Sequence, residues 1–170
     1  MRSGDRNQEP ETRSQETGAR SQEAGDRKRV VEVAYSWLGT PYHTGGKVKG
    51  VGVDCLTLLA GIFEEAGLVS DVAIPYYPND WHLHRTQERY LEGLLTYCKE
   101  TKEPQAGDIA LWKFGRCFSH GAIIIDYPLI IHAFVGRECV LEDLSKSDWL
   151  NFIGTKASNK PRPVRFFSVF

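Results

Sequence analysis

Residues 53–67 of the chain read VDCLTLLAGIFEEAG, and this stretch decides the fold. Its apolar side chains are nearly continuous after the cysteine, which is typical of a helix that is buried all round. Asp54 is a preferred N-cap residue, and Gly67 is placed to end the helix. The sequence therefore predicts a central buried helix with Cys55 in its first turn.

Cys55 is a candidate nucleophile because of this position. Unpaired backbone N–H groups and the dipole at a helix start favour an anion, so they stabilise a thiolate, which is the nucleophilic form. The alternative is a small buried core cysteine, and this residue alone leaves both interpretations open. Cys98, Cys117 and Cys139 lack the helix-start context, and we expect them to be free thiols in the core.

Two of the five histidines, His120 and His132, lie in the two predicted strands of a hairpin. A hairpin centred on Asp126 places the two rings opposite each other, and one centred on Tyr127 makes them diagonal neighbours on the same face. Both registers bring a general base next to a group that can orient its ring. The alternative is a pair of core histidines, which would need buried partners.

The pattern around the central helix predicts an α+β fold. Apolar spacings indicate a short helix at residues 30–38 and an amphipathic helix at residues 86–98. From Ile109 onward, short apolar runs separated by turn residues indicate antiparallel strands. Helices first and a sheet second are the order of an α+β domain, with the cysteine-bearing helix packed on the sheet.

The chain divides into two parts by composition. Residues 1–29 are polar and carry almost no apolar side chains, so they predict a disordered leader. The remaining residues, 30–170, are enough for one core and too few for two full domains. We therefore expect one folded domain after a flexible leader.

Several classes of function find no support in the sequence. A net charge of -1 gives no field that would attract nucleic acid or an anionic membrane. The apolar runs are far shorter than the roughly 20 residues of a membrane span, and no apolar segment typical of a signal peptide follows the first charges. The cysteines show no zinc-ligand spacing, and His82 and His84 lack a third ligand nearby. No metal, cofactor, nucleic acid or membrane partner is expected.

Together these motifs resemble the NlpC-type family of papain-like cell-wall cysteine peptidases. The resemblance covers residues 30–134 and, more loosely, the rest of the chain. The matching motifs are Gly39-Thr40-Pro41-Tyr42, Gly45-Gly46, Asp54-Cys55, Gly107-Asp108, Ser119-His120-Gly121-Ala122 and His132.

The resemblance implies an α+β papain-like domain in which Cys55 is the nucleophile, His120 the base and His132 the third member. Tyr42 and Asp54 would contribute to oxyanion or substrate binding. The implied substrate is the stem peptide of peptidoglycan, cut between D-glutamate and the diamino acid.

That bond has a free carboxylate beside it, so a positive or hydrogen-bonding group is expected near the site. Lys47, Lys49 and Arg116 are candidates because they flank the active-site segments.

Residues 47–55 are similar to the branch of the family that phages, prophages and gene-transfer agents encode among their tail genes. This implies an enzyme made in the cytoplasm without a signal peptide and carried to the cell wall with tail-tip proteins. One departure is Leu56-Thr57, where many members have Ser-Gly after the cysteine, and it bears on the pocket lining. An amidase or an acyltransferase with the same three residues, and a non-catalytic tail-assembly protein, remain the alternatives.

Overall fold

The computed structural model describes residues 9–78, 80–153 and 160–170. The helices are α1 (Glu9–Ser36), α2 (Cys55–Glu65), α3 (Trp81–His84), α4 (Arg89–Leu94) and α5 (Asp148–Asn151), with a 3-10 turn at Leu144–Lys146. The strands are β1 (Lys47–Val48), β2 (Gly52–Val53), β3 (Lys99–Thr101), β4 (Ile109–Phe114), β5 (Cys117–Asp126), β6 (Leu129–Ala133), β7 (Cys139–Asp143) and β8 (Val164–Ser168).

Six of the strands form one antiparallel sheet in the order β3-β8-β4-β5-β6-β7. Because side chains alternate along a strand, Ile109 and Leu111 pack against the N-terminal helices, whereas Ala110 and Trp112 pack on the other face. That second face is covered by the segment from Leu144 to Leu150. The predicted α+β papain-like fold, with N-terminal helices packed on an antiparallel sheet, is confirmed.

The register between β5 and β6 places the two histidines together. Ile123 lies opposite Ile131 and Ile124 opposite Ile130. His120 and His132 are therefore diagonal neighbours on one face, as predicted for a hairpin centred on Tyr127.

The predicted central helix is α2, and Cys55 is its first residue. The helix ends as the sequence indicates, at a glycine with a left-handed backbone, Gly67, whose φ is 74°. It packs closely on the residue that follows α1, since a Cβ on Gly61 would lie 2.7 Å from the Trp37 ring. The nucleophile candidate therefore sits at the start of an element that is fixed on several sides.

The amphipathic helix predicted at residues 86–98 is shorter in the structure. Only residues 89–94 of it are helical, as α4. The backbone then turns, and both Tyr97 N and Cys98 N donate to Leu94 O at 3.0 Å. The chain then enters β3, which pairs with β8. Pairing with the end of the chain is a long-range contact, so local helical periodicity could not predict this early stop.

The first helix also differs from the sequence-based expectation. Residues 9–29 form the first part of α1, whereas composition predicts a disordered leader there. Residues 1–8 lie outside the described part. Glu, Gln, Arg and Ala favour helix, and Arg27 adds a long-range anchor. Its guanidinium pairs with Asp108 at 2.7 Å, donates to Ala106 O at 3.1 Å and lies 4.2 Å from the centre of the Phe170 ring.

In the described ranges no helix, α1 included, is long and apolar enough to cross a membrane. The domain boundary at residue 30 stays a prediction, since α1 runs across it without a break.

We predict that Arg27→Ala lowers the free energy of unfolding by about 3 kcal/mol, because it leaves the buried Asp108 carboxylate without its cation. Lys28→Ala, one residue along, should change it by less than about 0.5 kcal/mol. The side chains are 12% exposed for Arg27 and 78% for Lys28, so the pair compares a buried with a solvated cation. Urea unfolding measures both, and equal effects would show that α1 is not anchored through Arg27.

Candidate active site

Asp54 fixes the start of α2 and with it the position of Cys55. Asp54 Oδ1 accepts hydrogen bonds from Leu56 N at 3.0 Å and Thr57 N at 2.9 Å, and Thr57 Oγ1 accepts one from Asp54 N at 3.0 Å. This reciprocal pair is a capping box, and it confirms the predicted N-cap. The first turn of the helix, which carries the thiol, is therefore held rigidly.

The other oxygen of Asp54 holds two loops against the helix. Oδ2 accepts from Gly45 N at 2.6 Å and from the Tyr77 hydroxyl. With the bonds to Oδ1, including one from Thr57 Oγ1 at 3.0 Å, the acceptor capacity of this buried carboxylate is used. Asp54 thus has a structural role at the site, and its role in substrate binding stays a prediction.

Four polar side chains form a continuous hydrogen-bonded chain on the sheet. His120 Nε2 lies 2.8 Å from His132 Nδ1, and His132 Nε2 lies 2.7 Å from Glu142 Oε2. The indole N–H of Trp149 donates to Glu142 Oε1 at 3.0 Å. His132 is fully buried, so this chain supplies the partners that a buried imidazole needs.

The chemistry of Glu142 and Trp149 fixes which atom donates and which accepts at each hydrogen bond of this chain. Burial opposes ionisation of Glu142, but hydrogen bonds, first from His132, lower its pKa to about 2, so it is an acceptor. His132 therefore carries its proton on Nε2, and its Nδ1 accepts when the ring is neutral. His120 must then donate from Nε2, which leaves the lone pair on Nδ1 as the basic position of that ring.

Aromatic packing holds the two imidazoles in this orientation. The Trp149 ring stacks on His132, with centroids 5.8 Å apart and planes at 22°, and meets His120 edge-on at 5.6 Å. Arg162 fixes the backbone of Trp149 by donating from Nη2 to the Trp149 carbonyl at 3.1 Å. Its guanidinium also stacks on Phe114, 3.7 Å from the centre of that ring. The rings cannot turn without disturbing this packing.

A pocket of about 180 Å³ brings Cys55, His120 and Tyr42 to one surface. Its wall is largely aromatic, with Trp81, Phe114, Phe134 and Trp149 among the lining residues. The Cys55 Sγ donates weakly to Ser119 O at 3.7 Å, and the Tyr90 hydroxyl donates to Cys55 O at 3.2 Å. The arrangement places a thiol, an imidazole and a phenol around one small apolar space.

Burial shifts both the thiol of Cys55 and the imidazole of His120 toward their neutral forms. Burial, and then the Asp54 carboxylate, raise the pKa of Cys55 to about 12, although backbone N–H groups at the helix start act in the opposite direction. Burial, and then His132, hold the pKa of His120 well below its ordinary value. Desolvation at Cys55 thus acts against the thiolate that the helix start favours. Burial also raises the pKa of Tyr42 to about 12, so its phenol keeps its proton.

Comparison with protein families agrees with this geometry. The model of the NlpC/P60 family matches residues 39–155, which include all four members of the hydrogen-bonded chain as well as Cys55. The chain belongs to the NlpC/P60 family. A comparison with curated proteins found no match.

Solved NlpC/P60 structures share the fold at low sequence identity. NlpC1 from Trichomonas vaginalis is 17% identical with a TM-score of 0.54, over 84% of this chain and 43% of that protein. An NLP/P60 protein from Staphylococcus aureus is 19% identical with a TM-score of 0.53, over 83% and 41%. The NlpC/p60 domain of the peptidoglycan hydrolase SagA is 22% identical with a TM-score of 0.48, over 70% and 90%. The chain thus spans less than half of the first two proteins.

The NlpC/P60 domain brings the predicted site residues together, but not the predicted cations. Lys47 pairs with Glu64 at 2.7 Å and Lys49 with Glu65 at 2.5 Å, at the far end of α2 from Cys55. Arg116 does not line the pocket.

His82 and His84 lie in the short helix α3. His82 lines the pocket, and His84 lies 3.3 Å from Asp80. Within the described residues no group of three or more His, Cys, Asp or Glu could hold a metal ion.

Sequence reasoning missed Glu142, Trp149 and Tyr77. Glu142 lies opposite Ile130, diagonal to His132 across β6 and β7, so an acidic residue in an apolar strand was the available signal. Trp149 and Tyr77 come from irregular segments whose approach to the site has no local signature in the sequence.

We predict that alkylation of Cys55 by iodoacetamide accelerates by about tenfold per pH unit between pH 7 and 9, because its pKa is raised and the thiolate is the reacting form. Mass spectrometry after short exposure measures the rate. Cys98 and Cys139, whose pKa values are also raised by burial to about 12, serve as internal controls and should react more slowly because they are buried. A rate for Cys55 that is constant from pH 6 upward would show a stable thiolate instead.

We predict that Glu142→Gln lowers kcat/KM by about 100-fold, the size of a general-base contribution. The amide can turn its NH₂ to His132, which reverses the direction of the chain and puts a proton on the basic nitrogen of His120. Glu138→Gln, an exposed glutamate just before β7, should leave kcat/KM unchanged.

Glu142→Gln should also change how the free energy of unfolding depends on pH. Because folding lowers the pKa of Glu142, its carboxylate stabilises the fold above about pH 4.5 and loses this effect as pH falls toward 2. Wild type and Glu142→Gln should therefore differ in unfolding free energy at pH 7 and converge in acid. A constant difference would contradict the ionised role of Glu142.

Proposed function

We propose that this protein is a cysteine endopeptidase that hydrolyses amide bonds in the stem peptides of peptidoglycan. The observation that carries the proposal is the directed chain from Trp149 through Glu142 and His132 to His120, which ends at the pocket of Cys55. A thiol at a helix start beside an oriented imidazole is suited to acyl transfer. Membership of the NlpC/P60 family supports the same chemistry.

In the proposed reaction, Cys55 Sγ attacks the carbonyl carbon of the amide while Nδ1 of His120 takes the thiol proton. His132 accepts from the His120 ring and stabilises the imidazolium that forms, with Glu142 behind it. The ordinary role of a third member is to hold the base in one tautomer. Here Glu142 and Trp149 would hold the tautomer together with His132.

The tetrahedral intermediate carries its negative charge on the former carbonyl oxygen. We assign its stabilisation to the backbone N–H of Cys55 and the phenol of Tyr42, which keeps its proton and can donate. His120 then protonates the leaving amine, which departs and leaves a thioester on Cys55. Water, deprotonated by His120, releases the acid product and restores the thiol.

The proposed bond is the one between D-glutamate and the diamino acid, following the motifs in residues 39–55. No lysine or arginine is among the described residues that line the pocket. The carboxylate beside this bond would therefore rest at the solvent edge of the pocket.

Association with a phage or prophage tail rests on the sequence of residues 47–55. In the structure these residues form the β1–β2 hairpin, whose lysines pair with Glu64 and Glu65. We propose tail-tip proteins as partners and the cell wall as the place of action.

Digestion of purified peptidoglycan tests the activity and the bond. We expect new free amino groups on the diamino acid, no new reducing sugar, and loss of the signal in Cys55→Ala and His120→Ala. His132→Gln should retain part of the rate, because an amide can still accept from the base.

Mass spectrometry of the fragments separates the other outcomes. A free lactyl carboxylate would identify an amidase, and transfer to an added amine would identify an acyltransferase. Activity that persists in Cys55→Ala would overturn the assignment of the nucleophile, and a wild-type protein without activity on any wall would favour a tail-assembly role.

A further inference from the structure

A second and larger cavity lies beside the candidate active site. It encloses about 680 Å³ between α2, α4 and the loop at residues 69–78. Leu59 and Phe63 line it from α2, Ile74 from the loop, and Leu94 from α4. It shares Leu56, Tyr77, Trp81 and Tyr90 with the pocket of Cys55, so the two spaces adjoin.

The size and apolar lining of this cavity are suited to a bound ligand. Folded proteins leave few voids larger than a water molecule, and apolar cavities do not hold ordered water well. A volume of 680 Å³ lies within the range of sites that bind drug-sized ligands.

The charged residues that line the cavity are of one sign. Arg85 and Arg89 line it and are exposed, which places them at its edge, and no aspartate or glutamate is among the described lining residues. Within the described residues neither guanidinium forms an ion pair, and Arg89 donates only to the neutral Gln87 side chain at 3.1 Å. Two unpaired guanidinium groups beside an apolar space are suited to an anionic head group.

We propose that this cavity binds the apolar chain of a single-chain anionic amphiphile, with its carboxylate or phosphate at Arg85 and Arg89. The chain would lie against the aliphatic side chains of α2 and α4, and the shared wall at Tyr77 and Trp81 would bring it next to the Cys55 pocket. The proposal concerns binding alone and does not depend on the hydrolysis of peptidoglycan.

Calorimetric titration of the full-length protein with decanoate, below its micelle concentration, tests the site. Decanoate should bind at least 100-fold more tightly than butanoate, because each buried methylene contributes about fourfold. Decanol, which has the same chain and no charge, should bind about tenfold more weakly than decanoate. Decyl phosphate should bind like decanoate if any anionic head group serves.

Variants separate the head-group site from the chain site. Arg85→Gln/Arg89→Gln should remove the difference between decanoate and decanol, whereas Arg20→Gln, on the exposed part of α1, should preserve it. Ala60→Phe places a ring into the cavity from α2 and should abolish binding. If Ala60→Phe does not fold, Gly93→Leu is the second filling variant. It adds a side chain to the cavity wall from α4, where an added Cβ meets no atom within 4 Å.

Two results would overturn the proposal. One is the absence of decanoate binding to the wild type, which would show that the loop at residues 69–78 closes the cavity. The other is equal binding to the wild type and to a folded filled variant. Titrating Cys55→Ala in parallel keeps this test independent of catalysis, since binding should be unchanged there even if the hydrolase proposal fails.

Discussion

The buried carboxylate of Asp54 is the interaction on which the site depends. A charge without water costs several kcal/mol unless hydrogen bonds replace its hydration, and here five donors do so. These donors belong to the start of α2, to the loop of Gly45 and to Tyr77. One carboxylate thus joins three segments that are separate in the sequence. These contacts fix the position of the Cys55 thiol, which follows Asp54 directly.

The base depends on a second constraint, which is the direction of a hydrogen-bonded chain. An indole N–H can only donate and an ionised carboxylate can only accept, so Trp149 and Glu142 leave His132 one neutral arrangement. A histidine as third member could otherwise present either nitrogen as donor. The carboxylate behind it removes that ambiguity, as the proposed roles of His120 as an oriented base and His132 as its support require.

Local features of the site were predictable from the sequence, whereas its long-range partners were not. The cap at Asp54 follows from residue preference, and the approach of His120 to His132 follows from the hairpin turn, because both depend on neighbours along the chain. Glu142 is only ten residues from His132, in the next strand, and its one signal was an acidic residue in that strand. The anchor of Arg27 on Asp108 joins residues 81 positions apart, so no local pattern encodes it. The thiolate expected at Cys55 stays a prediction, and the desolvation that opposes it has no local signal, because helix position is readable in a sequence and depth of burial is not.

That burial has a consequence for the proposed chemistry. Desolvation disfavours the thiolate of Cys55 and the imidazolium of His120 alike, so moving the proton between them before substrate binds would create two charges in a poorly hydrated space. When the sulfur attacks a carbonyl, the negative charge passes to an oxygen that Tyr42 and a backbone N–H can reach, while the positive charge forms beside His132 and the Glu142 carboxylate. The charge separation is therefore stabilised mainly in the transition state, which is where an interaction accelerates the reaction. A site built in this way keeps its thiol protonated and weakly reactive until a carbonyl occupies the pocket.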